Sequence, residues 1–320
     1  MDIIDDIFST LKLRGALYFR TEFSGRWAAT VPAFENAARF HLLVQGRCCI
    51  TFTDGTAIDM GPGDLVMVPA GASHIISDCK TDDAPVLEKV LEQSGYTGDG
   101  LWVMNNEVAG STTKLVCGHF SFRRGADHPL LRAMPSFIYM AATERARAPL
   151  LDEVLRLIPR RIFDEELGSR AAVTRMSEIV YIELLRSGVD SAPAIGLMVD
   201  GMRDSQIGAA LVLMHQQPES DWTVAALAEA VGMSRSRFAE KFSDHMNEGP
   251  MNYLSNWRLQ KALVLLEERS LSIKDISRRV GYKSHAAFTR AFAARFGHSP
   301  STFRLTPEPP ETLLRPAVKA

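Results

Sequence analysis

The last third of the chain is written twice. Val224, Leu227, Val231 and Gly232 recur 49 positions later as Ile273, Ile276, Val280 and Gly281. Phe238, Phe242, Asn247, Pro250 and Tyr253 recur at an offset of 50 as Phe288, Phe292, Gly297, Pro300 and Phe303. Self-similarity at such a period marks duplicated supersecondary units, and each copy reads as two helices joined by a turn. In the first, Thr223 caps a helix with Val224, Leu227, Ala228 and Val231 facing inward, Gly232 supplies the turn, and Ser234 caps a second helix running through Phe242. In the second, Ser272-Ile273-Lys274-Asp275 has capping-box form, Gly281 makes the turn, and Ser284 caps the helix carrying Phe288 and Phe292. Phenylalanines four apart turn one face of each second helix into the core, leaving the opposite face free. Two helix-turn-helix modules are expected, at about 222–243 and 272–293.

Charge follows this division. The whole chain has a formal net charge of -2, but Asp204 to Trp257 carries 3 basic and 7 acidic residues, whereas Arg258 to Arg304 carries 10 basic and 3 acidic. The positive field therefore lies near the C-terminus, where it suits a polyanionic partner. A length of 320 residues that is 46% hydrophobic supports two cores of ordinary size rather than a disordered chain. Asp2, Asp5 and Asp6 stand where a secretory signal needs Lys or Arg, and no apolar run reaches the roughly 18 residues of a membrane span. A cytoplasmic location without membrane attachment is expected. Cys48, Cys49, Cys79 and Cys117 contain no CxxC pair, which argues against a zinc finger or a disulfide framework.

The fold class expected is two-domain, with an N-terminal all-β barrel followed by α-helices and a C-terminal all-α double helix-turn-helix. Phe40 to Gly46 and Cys48 to Phe52 read as short strands punctuated by Gly46, Asp54-Gly55 and Gly61-Pro62-Gly63. After Pro149 the apolar period becomes helical through Leu151, Val154, Leu155 and Ile158, then Val173, Met176, Ile179, Val180, Leu184 and Leu185. The expected division is a sensor domain at 1–188, with dimerisation helices or barrel cover at about 150–186. A linker at 189–203 follows, then a helical domain at 204–306 and a proline-initiated tail at 307–320.

The C-terminal pattern resembles the AraC/XylS family of transcription regulators. The resemblance is carried by Trp222-Thr223-Val224, Leu227-Ala228, Gly232-Met233-Ser234-Arg235-Ser236-Arg237-Phe238, Arg258-Leu259, Gly281-Tyr282, Ala287-Phe288, Phe292 and Ser299-Pro300 to Phe303-Arg304. Asn247 stands where the family has Gly, and Asn tolerates the left-handed conformation that ends a helix. The resemblance implies that Pro250 to Leu266 form a helix spacing two recognition helices into successive major grooves, about 34 Å apart. It also implies base-facing positions at Arg235, Ser236, Ala239 and Glu240, and at His285, Ala286, Thr289 and Arg290. Arg235 and Arg290 suit guanine, Glu240 suits cytosine, and the Thr289 methyl suits thymine. Lys261, Arg278, Arg279 and Lys283 are expected to neutralise phosphates, and Arg258 to be a structural ion-pair partner. The aromatic residues, Trp222 included, are expected in the core. Implied partners are double-stranded DNA, a small-molecule effector, RNA polymerase in an activating role, and a second copy of the chain.

The N-terminal half carries a second resemblance. Gly63 to His74 fits the cupin motif G-x5-P-x-G-x2-H, with Asp78 in place of its trailing Asn, and Cys117-Gly118-His119-Phe120 with His128-Pro129-Leu130-Leu131 resembles the cupin sensors of some such regulators. An effector pocket at His41, His74 and Cys117 is implied, and no cofactor. The HxH and Glu that complete a cupin metal site are missing. Three readings of these residues stay open: buried small hydrophobes with a hydrogen-bonded His, a redox sensor needing an accessible low-pKa thiol, and a metal sensor. The alternatives for the whole chain are a metal-dependent cupin enzyme fused to a helical module, or a protein-interaction module.

Overall fold

The computed structural model describes residues 2–34, 37–96, 101–105, 112–163, 167–187 and 192–306. The expected tail at 307–320 and residues 189–191 of the expected linker lie outside the described residues. The chain opens with α1 (Ile3–Leu11), followed by β1 (Arg14–Ser24), β2 (Ala28–Val31), β3 (Ala37–Gln45), β4 (Cys48–Phe52), β5 (Ala57–Met60), β6 (Leu65–Val68) and β7 (His74–Ser77). Then come α2 (Leu87–Ser94), β8 (Leu101–Asn105), β9 (Thr113–Ser121), α3 (Pro129–Arg132), β10 (Ile138–Met140), α4 (Pro149–Phe163) and α5 (Ser169–Ser187). The C-terminal part holds α6 (Pro193–Arg203), α7 (Ile207–Gln216), α8 (Val224–Ala230), α9 (Arg235–Met246), α10 (Pro250–Leu266), α11 (Ile273–Arg279), α12 (His285–Phe296) and α13 (Pro300–Leu305).

These elements form two compact units. The β-rich unit comprises residues 13–122 and 134–188, with strands in the orders β10-β6-β3-β9-β1-β8 and β2-β7-β4-β5. Pairing is antiparallel except for β1 with β8. One apolar core draws on both sheets, with Phe19, Phe23 and Leu115 from the larger and Ile50, Ile58 and Ile76 from the smaller. Gly46, Gly55 and Gly63 take positive φ at the turns the sequence marked. Most of the apolar stripe of α5 is buried inside this unit, Ile179 being exposed: Val173, Val180, Tyr181, Leu184 and Leu185 are buried, Tyr181 meets the ring of Phe120, and Glu178 accepts the Gly15 amide of β1.

The helical unit comprises residues 1–12, 123–133 and 189–308. A single cut at residue 188 therefore misses two segments: α1 and the stretch around α3 pack with the C-terminal helices. Lys261 binds Asp6 of α1 at 2.7 Å, and Gln260 donates to the Gly125 carbonyl at 3.1 Å. The expected linker at 189–203 is corrected as well. From Pro193 onward it is α6, started by a proline whose missing N–H costs a helix nothing at that position. Ile195, Met198 and Val199 are buried at i, i+3, i+4 spacing.

Candidate nucleic-acid interface and sensor cavity

Each half of the repeat folds as its sequence dictates. Thr223 Oγ1 accepts the Ala226 amide, Ser272 the Asp275 amide and Ser284 the Ala287 amide, each at 3.1 Å. Ser234 occupies the cap position of α9 but its hydroxyl makes no capping bond, a departure from the expected pattern. Asn247 ends α9 at φ 55, as Gly297 ends α12 at φ 75. Phe238, Phe242, Phe288 and Phe292 are completely buried, which turns the other face of α9 and α12 outward.

On that outward face Arg235, Ser236 and Glu240 are exposed on α9, and His285, Ala286 and Arg290 on α12, with Ala239 and Thr289 half-buried. Thr289 Oγ1 is buried without a hydrogen-bond partner among the described residues, so the accessible part of this side chain is hydrocarbon. Arg278 and Arg279 are exposed, Arg278 beside Asp275; Lys283 pairs with Asp221 at 2.9 Å, both well exposed. Exposed pairs of this kind contribute little to stability and are readily exchanged for another anion.

Three expectations are corrected. Lys261, assigned above to phosphate, is held by Asp6 and Thr10 and lies 4.8 Å from the Trp257 ring centroid. Arg258 is structural, but its partners are backbone carbonyls, Pro218 at 2.6 Å and Ser220 at 2.7 Å, rather than a carboxylate. Trp222 is half-buried, its indole N–H on the Gln217 carbonyl, and so is not core.

In the β-rich unit His41, His74 and Cys117 do converge. His41 and Cys117 are direct cross-strand partners on β3 and β9. His41 Nδ1 lies 3.1 Å from Cys117 Sγ, and His41 Nε2 lies 2.8 Å from His74 Nε2 on β7, in the other sheet. His74 Nδ1 lies 2.9 Å from the Ala72 carbonyl. A carbonyl only accepts, which assigns the tautomers in series: His74 donates through Nδ1, His41 donates through Nε2 to His74, and the Cys117 thiol donates to His41 Nδ1. Every member is neutral. Burial, then His74 and Arg39, hold His41 well below the usual imidazole value; burial takes His74 down to about 4 and the Cys117 thiol up to about 12. A thiol so protected lacks the thiolate character a reactive cysteine needs. Burial raises Cys48 and Cys49 too, and the half-buried Cys79 sits 2.6 Å from Arg26 Nη1. Among the described residues no group of three His, Cys, Asp or Glu is placed to hold a metal ion.

His41 and Cys117 border an apolar cavity between the sheets, walled by Phe19, Phe23, Trp27 and Trp102 with aliphatic side chains between them. The cavity is small, about 30 Å³.

Two outward recognition-type helices on a duplicated scaffold, together with an apolar cavity in a separate β-rich unit, define a DNA-binding regulator. Comparison with known proteins agrees: a cupin family model matches residues 2–190, and a helix-turn-helix domain model matches residues 227–306. The chain belongs to the AraC-type transcription regulators that join a cupin domain to a helix-turn-helix domain. It is 29% identical over 318 residues to the HTH-type transcriptional regulator AlkR of Acinetobacter baylyi, covering 95% of this chain and 99% of AlkR. It is also 29% identical over 314 residues to a putative AraC-like transcription regulator of Streptomyces lividans (97% and 100% covered), and 27% identical over 307 residues to an uncharacterized HTH-type transcriptional regulator of Haemophilus influenzae (95% and 98%). No helix among the described residues is long and apolar enough to cross a membrane.

Proposed function

We propose that this regulator reads DNA through α9 and α12, and that an effector entering the cavity of the β-rich unit sets its activity. The observation that carries the first part is the outward placement of Arg235, Ser236, Ala239 and Glu240 on α9 and of His285, Ala286, Thr289 and Arg290 on α12, opposite buried phenylalanines. Arg290 and Arg235 donate to guanine, Glu240 accepts from cytosine, and the hydrocarbon side of Thr289 meets a thymine methyl. Arg278, Arg279 and Lys283 neutralise phosphates, so the second module supplies most of the salt-dependent affinity.

The chain works as a homodimer on paired sites, as two-fold DNA-binding proteins do. The exposed Leu150 and Leu157 of α4 and Ile179 of α5 offer apolar surface for this contact. It activates transcription through RNA polymerase, and it catalyses nothing: a cupin enzyme needs converging metal ligands, and the neutral His41–His74 pair spends its nitrogens on each other, on Cys117 and on Ala72.

Selection of genomic fragments by the purified protein, repeated with Arg290→Ala, tests the reading. Enrichment near a few promoters, with one base position relaxed in the variant, is expected. Enrichment by neither protein, at low salt and with cell extract supplying effector, would overturn it.

A further inference from the structure

We infer that the cavity accepts an uncharged, hydrocarbon-like molecule and turns away ionised ones; this rests on the reading that the cavity receives the regulator's signal. Among the described residues, no Asp, Glu, Lys or Arg borders the space. Its titratable neighbours, His41 and Cys117, are locked neutral in the series that ends on the Ala72 carbonyl, so neither offers a countercharge. The remaining polar atoms are largely spent. Thr21 Oγ1 accepts the Leu115 amide at 3.2 Å, and the Trp102 indole donates to Ser94 Oγ at 2.9 Å.

An ionised group entering here surrenders its hydration and receives no partner, whereas an apolar ligand exchanges water for four aromatic rings. A discrimination of at least about a hundredfold between a neutral molecule and its charged isostere follows. The small volume also selects shape. Phe19 and Phe23 each pack against Trp102 with ring centroids 4.9 Å apart, so a ligand gains room only by displacing these rings, which favours a flat ring or an unbranched chain over a bulky one.

Toluene and benzoate, which differ in methyl against carboxylate, make the test. Full-length protein labelled at methionine methyls is titrated with each, reading Met104, which lines the cavity, and the occupancy of a selected DNA fragment is measured in parallel. The Met104 signal, identified through Met104→Leu, is expected to shift with toluene and to stay fixed at a hundredfold higher benzoate concentration. Ala29→Leu, which fills the wall from β2, is expected to abolish the toluene shift. A benzoate shift at concentrations comparable to toluene overturns the inference while leaving the cavity as the effector site. So does a toluene shift that survives Ala29→Leu, or no shift with either compound. If toluene fills the cavity and DNA occupancy and promoter output both stay unchanged, the ligand class stands and the reading of the cavity as signal receiver falls.

Discussion

His215 Nε2 lies 2.7 Å from the hydroxyl of Tyr253, and that hydroxyl is also 3.1 Å from His128 Nε2. All three groups are buried, and their neighbours fix which way each proton points. The Leu130 amide donates to His128 Nδ1, so His128 carries its proton on Nε2 and donates to Tyr253. Tyr253 donates onward to His215 Nε2, and His215 Nδ1 donates to Asp6 at 2.9 Å. Burial works to raise the Asp6 carboxyl, but the bonds from His215 and Lys261 outweigh it and hold the group below its usual value. The His215 ring also stacks on Trp257 at 3.9 Å between centroids. One directed series of hydrogen bonds thus ties α1 and the segment around α3 to α7 and α10.

Removing the hydroxyl tests that tie. Tyr253→Phe keeps the ring in place and leaves a buried acceptor on His215 and a buried donor on His128, at about 1–3 kcal/mol for each stranded group. Amide exchange in peptides covering residues 2–12 and 123–133 should accelerate well before exchange in α12. Uniform acceleration across the helical unit would mean that the series is not what fastens these two segments.

The β-rich unit should weaken in mild acid. His74 and His119, both lowered to about 4 chiefly by burial, remain neutral in the fold but take up protons near pH 6.5 once unfolded. Between pH 6.5 and about 4 the unfolded chain binds more protons, so stability falls as pH falls, by up to about 3 kcal/mol for His74 alone. Above 6.5 this contribution is complete and flat. Denaturation midpoints read by exchange on β3 and β9 peptides should follow this course, with a shallower slope in His74→Gln; a pH-independent midpoint would contradict it.

Salt dependence separates the arginines. Arg258→Ala strands the carbonyls of Pro218 and Ser220 ahead of α8 and should cost about 2 kcal/mol of module stability. Affinity for every DNA sequence should then fall with the salt slope unchanged. Lys283→Ala should reduce that slope by about one, and Arg290→Ala should cost about 1–3 kcal/mol at one base position only. A changed slope in Arg258→Ala would assign this residue to phosphate after all.

The parts of this molecule that sequence made visible are those written locally. Gly232 and Gly281, the caps at Thr223, Ser272 and Ser284, and the phenylalanine pairs all act within about a dozen residues, and the cupin motif placed His74 by the same kind of short-range turn. What stayed hidden depends on register and distance. That Cys117 meets His41, 76 residues away, is implied by the family resemblance alone, because no local pattern shows the register in which β9 pairs with β3. Lys261 looked free for phosphate because its partner Asp6 is 255 residues away. The α6 helix was legible in the spacing of Ile195, Met198 and Val199, but the Gly, Ser and Pro before it masked the signal.

The repeat itself supplies the sharpest stability test. Gly232 and Gly281 hold the same place in the two copies, with φ of 66 and 84. A Cβ built on Gly232 meets nothing within 4 Å, so Gly232→Ala should cost only the left-handed backbone penalty, about 1–2 kcal/mol. Built on Gly281, the same atom lies 2.7 Å from the Pro218 carbonyl oxygen and 2.9 Å from Arg258 Cζ. These are the two groups whose hydrogen bond orders the entry to α8, so the clash cannot be relieved without breaking it. Gly281→Ala should therefore cost at least about 3 kcal/mol, the backbone penalty plus the loss of that bond. Its effect on stability should also cease to add to that of Arg258→Ala, because both changes act on one contact. Equal losses at the two glycines, or full additivity with Arg258→Ala, would show that Gly281 is there for its turn alone.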